Sequence, residues 1–240
     1  MNNMSDWIRS AETLFGIILS DEQIRQFEIY EALLIDWNSK INLTAVRDAE
    51  GIRIKHFLDS LSCVPVLGDM NGRSLIDIGT GAGFPGIPLR IFYPEMRLTL
   101  VDSVGKKADF CQLAADTLHL KGVKALKDRS EELGAGKEYR EKFDAATARA
   151  VAGLPVLCEY LLPLVKPGGI MLAMKGESAP EEVKAAENAI RKLGGADAEL
   201  TEVELPDVEG KRYLVKIPKV TPTPAGYPRR TGLPLKKPIL

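Results

Sequence analysis

The chain is poor in the residues on which redox, metal and acid–base chemistry most often rest. Its 240 residues include three cysteines (Cys63, Cys111, Cys158) and two histidines (His56, His119). The cysteines are odd in number, far apart and free of any C-x-x-C, which excludes a dithiol redox motif or zinc knuckle. Reduced, packed thiols in a cytoplasmic protein are expected instead. No spacing of His, Cys, Asp and Glu suits a metal, so no metal is expected. No apolar run approaches the length of a membrane span. The opening MNNMSDWIRS carries Asp6 and Arg9 and leads into no long apolar stretch, so neither signal peptide nor membrane association is expected. There is no internal repeat, and nothing demands an assembly larger than a monomer.

What is present is an ordinary globular composition, 45% hydrophobic and 27% charged, long enough for one sizeable core plus an appendage. The net charge of −1 hides an asymmetry. From Lys211 to Leu240 there are eight basic residues and no acidic ones, leaving −9 on the rest. Positive charge gathered at one end suits a footprint on an anionic polymer, although a solvated tail would look the same.

The run Leu75–Leu89, LIDIGTGAGFPGIPL, reads as a strand, a glycine loop and a helix. Leu75, Ile76 and Ile78 form a short apolar strand, and Gly79, Gly81 and Gly83 free the backbone to turn and a ligand to approach. Pro85 suits the first turn of the next helix. A second strand, MRLTLVD, ends at Asp102, where a carboxylate can accept hydrogen bonds from ribose hydroxyls. Two registers compete. Gly81-x-Gly83-x-x-Gly86 matches a dinucleotide fingerprint but begins three residues past the strand. Asp77-x-Gly79-x-Gly81-x-Gly83 fits the strand end better and resembles the first motif of class I S-adenosylmethionine (SAM) methyltransferases. In that family the acid lies near the methionine end of the cofactor.

The rest alternates helix and strand, predicting a parallel sheet with helices on both faces. An N-terminal helical region (1–70) carries a capping box, Ser20-x-x-Gln23, and an apolar stripe of Ile24, Phe27, Tyr30, Leu34, Trp37 and Ile41. The core domain (71–218) has helices expected over 104–120, 154–165 and 179–193, and strands over 123–126, 143–148 and 170–174. A closing antiparallel hairpin is expected over 198–204 and 212–217, with a turn at Pro167-Gly168-Gly169. The last segment (219–240) belongs to a stretch with six prolines in 23 residues after Ile217, which rules out an ordinary helix or central strand. It is expected to be extended and packed on the domain, or ordered only by its partner.

Ligands of open α/β sheets bind outside the carboxyl ends of the strands. The residues reaching that edge are Gly79 to Phe84, Asp102, Ser130, Glu131 and Arg149. The glycine amides can face a nucleoside and Asp102 its ribose. Glu131 and the backbone at Ser130 can meet an adenine edge, and Phe84 offers an apolar wall. Ser130 and Glu131 equally suit a helix cap and first-turn acid. Arg149, at a strand end, calls for an anionic partner such as a cofactor carboxylate or a phosphate.

The segments NLTAV, KHFLDSL, IDIGTGAGFPGIPL, LTLVDSVGKKADF, ATARAVAGLPVL, KPGGIMLAMKG and TPAGYPRRTGLPLKKPIL, in this order and spacing, resemble the RsmG (GidB) family. These are bacterial methyltransferases of 16S rRNA. The resemblance covers nearly the whole chain and is weakest before about Tyr30. It implies an α/β class I SAM-methyltransferase (Rossmann-like) fold with an N-terminal helical extension and a basic, Pro-rich C-terminal tail. It further implies SAM as cofactor, the small ribosomal subunit as partner, and methylation of N7 of the guanine at position 527 in the usual rRNA numbering. Gly79, Phe84, Ser130, Glu131 and Arg149 are implied as cofactor contacts. Alanine more often stands where this chain has Ser130, and serine where it has Ala148.

Missing motifs agree with that chemistry. No Asn/Asp-Pro-Pro-Tyr/Phe tetrad supports amino-group methylation, and no Pro-Cys offers a nucleophile for carbon methylation. Guanine N7 already exposes a lone pair, so catalysis can rest on positioning and no general base is expected. His56 and Asp59 are read as shaping the cofactor mouth or making local helix contacts. The expected RNA contacts are Arg212, Lys216, Lys219, Arg229, Arg230, Lys236 and Lys237, with Arg53 and Lys55 as further candidates. Tyr227 and Phe84 are expected to stack on a flipped base. A nicotinamide dehydrogenase would need a second domain that the residues after Leu193 are too few to supply. A small-molecule methyltransferase leaves the basic tail without a role, and a noncatalytic RNA-binding factor leaves the glycine loop without one.

Overall fold

The alternation of LIDI in the first strand sends its side chains into two different cores. Leu75 joins one and Ile76 the other, as a strand buried on both faces requires. A computed structural model describes residues 4–240, with side chains described from Asp6 onward. Seven strands form one sheet in the order β3-β2-β1-β4-β5-β7-β6. These are β1 (Ser74–Ile78), β2 (Arg97–Asp102), β3 (Val123–Lys127), β4 (Phe143–Arg149), β5 (Val165–Lys175), β6 (Glu199–Val203) and β7 (Arg212–Pro218). The first five pair in parallel, while β7 runs antiparallel to both β5 and β6. The chain reverses its direction across the sheet between β1 and β4. At such a switch point the loops diverge and leave a crevice.

One face of the sheet is covered by the N-terminal helices and by helices Gly86–Phe92 and Gly105–Thr117. Trp7, Phe27, Tyr30 and Phe57 cluster there, with the Phe27 and Phe57 ring centroids 5.0 Å apart. The capping box at Ser20 is present: Gln23 N–H donates to the serine hydroxyl and Ser20 N–H to the glutamine side chain. Helices Ser130–Ala135, Leu154–Leu161 and Ala179–Lys192 cover the other face.

The KHFLDSL segment is helical, a π-helical turn, Arg53–Leu58, running into an α turn, Asp59–Leu61. Two local expectations are corrected. The helix expected over 154–165 ends at Leu161, continues as a 3₁₀ turn over Leu162–Leu164, and gives Val165 to β5. The turn expected at Pro167-Gly168-Gly169 is a bulge inside β5. Phe143 pairs with Val165, but Ala145 pairs with Ile170.

The C-terminal segment packs along the second face, held largely by buried or half-buried carboxylates. Thr223 N–H donates to Glu141, Arg229 forms a forked ion pair with Glu159 at 2.6 Å, and Gly232 N–H donates to Glu131. Arg140 donates to three of the segment's carbonyls, those of Thr223, Pro224 and Tyr227. Glu159 is only 1% exposed, so removing its partner strands a charge away from water. Arg229→Ala is expected to cost about 3–5 kcal/mol of folding stability in urea unfolding. The apolar pair Arg229→Met with Glu159→Leu should recover most of it. Equal losses in the single and double variants would contradict this role.

Candidate active site

Glycines 79, 81 and 83 all take positive φ, at 67°, 62° and 99°. The loop they form is held from within. Gly79 and Thr80 N–H donate to Val101 O, and Gly81 N–H donates to Asp102 Oδ2 at 3.0 Å. Asp102 Oδ1 accepts from Val104 N–H at 2.9 Å, so this carboxylate braces two loops. Tyr30 of the N-terminal helix Asp21–Ile41 donates its hydroxyl to Ala82 O. The α-carbon of Gly81 faces open space, since a Cβ built there would meet nothing within 4 Å. Above Gly79 the path is closed, because a Cβ would lie 2.4 Å from Val151. Val151 reaches there because Ala150 adopts a left-handed φ of 57°, rare for alanine, which turns the chain over the loop.

Beside this loop lies a cleft of about 170 Å³ lined by Gly79, Asp102, Ser130, Glu131, Tyr160 and Leu235, among others. Its mix of apolar wall and a few carboxylates fits a nucleoside. Each Asp102 oxygen accepts one protein hydrogen bond and keeps a lone pair for a ribose hydroxyl. The donor set therefore fits the adenosine half of SAM. The Glu131 carboxylate, expected at the adenine edge, accepts from Gly232 N–H of the tail. The Ser130 hydroxyl donates to Tyr160 O, which leaves its backbone, the part expected to contact the cofactor, at the cleft.

Asp77 lies behind the glycine loop, wholly buried. Its Oδ2 accepts from Thr80 Oγ1 at 2.7 Å and Gly86 N–H at 3.0 Å. Among the described residues its Oδ1 has no hydrogen-bond partner, nor has the hydroxyl of Thr147, its register neighbour on β4. Burial pushes the Asp77 carboxyl up to about 7, against the two hydrogen bonds that pull it down.

Arg149 finds its anion within the protein. Its Nη1 donates to Asp59 Oδ2 at 2.7 Å and to Lys55 O, and its guanidinium lies 5.1 Å above the Phe84 ring. His56 stacks on the same ring at 4.5 Å, and its Nε2 lies 2.7 Å from Thr44 Oγ1. Burial first, then the Arg149 charge, lowers the His56 pKa to about 3, so the ring is neutral at pH 7. Phe84, expected to stack on a flipped base, is instead sealed under Arg149 and His56 at 3% exposure. Beyond Asp59 stands Arg212, at 3.4 Å, on the wall of a second cavity of about 220 Å³. Asp59, Arg149, Met174, Lys175 and Tyr213 also line it. The Arg212–Asp59 pair and the covering role of Val151 and Tyr160 left no local signal in the sequence. His56 and Asp59 did, being three residues apart on one helical face.

The basic residues divide. Lys219 is buried, donating to Leu162 O, Leu193 O and Thr223 Oγ1, and burial lowers its pKa to about 8. It reaches no phosphate. Lys216 pairs with Glu199, Arg53 with Glu31, and Arg229 with Glu159. Tyr227 is half-buried with Lys192 over its ring. Arg230, Lys236 and Lys237 are exposed and form no ion pair among the described residues. No group of three or more His, Cys, Asp or Glu among the described residues is arranged to hold a metal ion. No helix among them is long and apolar enough to cross a membrane.

A family model described as rRNA small subunit methyltransferase G (GidB) matches residues 23–211. The chain belongs to the GidB family. It is 49% identical over 237 residues to the ribosomal RNA small subunit methyltransferase G of Roseiflexus castenholzii, covering 99% of this chain and all of that protein. It is 48% identical over 225 residues to the Acetivibrio thermocellus protein of the same name, covering 94% and 92%. Among solved structures, a SAM-dependent methyltransferase from Aquifex aeolicus superposes with a TM-score of 0.56 at 16% identity, covering 75% of this chain and 97% of that one. A precorrin-6y methyltransferase from Geobacter metallireducens gives 0.52 at 13% identity, covering 75% and 91%. At such identities the likeness establishes the fold, that of a class I methyltransferase.

In this GidB chain the raised Asp77 pKa has a definite sign. The native state holds the proton between about pH 4, where a free aspartate titrates, and about 7. The group's contribution to stability is therefore full below pH 4 and lost as pH rises through 7. Asp77→Asn removes that loss. The melting temperature of the variant minus that of wild type should climb from pH 4 to 7 and level off above. A difference independent of pH would refute the assignment.

Proposed function

We propose that this chain transfers a methyl group from SAM to N7 of a guanine in 16S rRNA, the one at position 527. The observation that carries the reading is the cleft at the switch point between β1 and β4, lined by Gly79 of the glycine loop and edged by Asp102. Family membership and the similarly named relatives support the rRNA substrate.

Asp102 would hold the ribose, and the Ser130–Glu131 backbone the adenine edge. The Gly79–Gly83 loop would pass beneath the nucleoside, with Asp77 behind it at the methionine end. SAM, when bound, supplies a methyl group on a positively charged sulfur. Guanine N7 would take that methyl through its own lone pair while the sulfur would leave as a neutral thioether, so no residue of this chain would have to remove a proton. The protein's task is alignment, which can supply up to roughly 7–11 kcal/mol. A neutral His56, sealed over Phe84, fits a site that needs no base. The 220 Å³ cavity on the Arg149 side of residues 150–152 is our candidate for the acceptor base. Arg230, Lys236 and Lys237 are the tail's phosphate contacts, in the cytoplasm where small subunits are found.

The test is transfer of labelled methyl from SAM to unmodified small subunits, followed by borohydride and aniline cleavage. Cleavage at one guanine, absent with Gly81→Asp, is the expected result. SAM binding without transfer to RNA would favour a small-molecule acceptor. The tail gives a second readout. Arg230→Ala with Lys237→Ala should lower the slope of log affinity against log salt by about 0.7 for each single-strand phosphate that is no longer neutralised. Lys216→Ala, its charge already met by Glu199, should leave the slope unchanged.

A further inference from the structure

The nucleoside cleft is walled on one side by a residue from the far end of the chain. Leu235 lies on the short helical turn Leu233–Lys236 and lines the cleft alongside Asp102, Ser130, Glu131 and Tyr160. It is 64% exposed. A single exposed leucine means little by itself. This one differs because its backbone is fixed from both sides. Gly232 N–H donates to Glu131 at 2.9 Å just before the turn. Just after it, Lys237 O accepts from Arg229 Nη2 at 2.8 Å, and Arg229 is itself clamped on Glu159. Pro234 within the turn is buried. Glu131 thus ties the cleft's edge to the turn that carries Leu235. The leucine is apolar, held in place, and turned toward a cleft whose other walls suit a nucleoside.

We propose that Leu235 is a cofactor-binding residue, covering one face of the adenosine moiety of SAM so that the C-terminal segment completes the cofactor cleft. The proposal rests on the functional reading above. It gives Glu131 a positioning role, since its carboxylate holds the turn while the cofactor meets the backbone beside it. Apolar surface exposed in the free protein would be covered by the purine on binding, which favours the complex.

The experiment is isothermal titration of the full chain with SAM and with S-adenosylhomocysteine, which share the adenosine half. Leu235→Ser should weaken both ligands by about tenfold, the scale expected when most of one leucine's apolar cover is removed. Leu235→Met should bind within about twofold of wild type, because it restores a similar apolar volume. Leu240→Ser, in the same segment at 72% exposure and outside the cleft, is the control and should bind as wild type. The melting temperature of each unliganded variant should be unchanged. Wild-type affinity in Leu235→Ser, or an equal loss in Leu240→Ser, would overturn the proposal. Failure of the wild-type chain to bind either ligand would instead overturn the functional reading itself.

Discussion

The Asp77 carboxylate, completely buried at the end of β1, accepts hydrogen bonds from Thr80 and Gly86 and so fixes both ends of the glycine loop. Asp102, one strand over, fixes the middle through the Gly81 amide. Glycine gives the loop its left-handed turns but no stiffness. Stiffness comes from these two acids, from the Val101 carbonyl, and from Tyr30 reaching in from the N-terminal helix to the Ala82 carbonyl. The desolvation of Asp77 is the cost of this arrangement, and its unpartnered Oδ1 shows that the protein does not fully offset it. Burying a carboxylate to hold a loop that must bend beneath a ligand trades stability for a fixed shape at the site.

Much of this was readable from one strand and its loop. The short apolar run of Leu75, Ile76 and Ile78 marked a strand buried on both faces, the glycine spacing gave the turn, and the next strand ended on the acid that braces it. These signals are local, so a linear pattern carries them. The partner of Arg149 was not readable in the same way. A charged side chain at a buried strand end requires an anion, but Asp59 lies 90 residues away, at the start of the short α turn that follows the π-helical turn Arg53–Leu58. Ser130 and Glu131 were placed at the cleft, yet their side chains face Tyr160 and the tail, because helix packing and the tail's path decide where a hydroxyl or carboxylate finds its partner.

Charge counting misleads in the C-terminal region for a physical reason. Thirty residues with eight positive charges and no negative ones look like a free polycation. In the fold, Glu159 and Glu199 neutralise Arg229 and Lys216, Asp59 meets Arg212, and Lys219 is drawn into the core beside Glu141. The acids that offset the segment are spread from Asp59 to Glu199, which is why the balance of −9 before Lys211 matters as much as the excess that follows. What remains for a polyanion is a small set of exposed cations around the turn at Leu233–Lys236. Such a set favours a local contact over a broad electrostatic funnel.

A nucleophile that already carries its lone pair changes what the protein must provide. With no proton to remove, a titrating base next to the acceptor would add nothing to the rate, whereas a displacement of the cofactor or the base by 1 Å would cost a great deal. The charged groups around the candidate acceptor cavity fit that demand. His56 is neutral and packed on Phe84, Arg149 and Arg212 share the Asp59 carboxylate, and Lys175 is held by Glu182. They form a paired, close-packed frame on the ends of β4 and β5, and the glycine loop faces it from the end of β1. Rate in such a site depends on how little the frame moves, and that is why buried ion pairs, weak as contributors to stability, are well placed here as contributors to geometry.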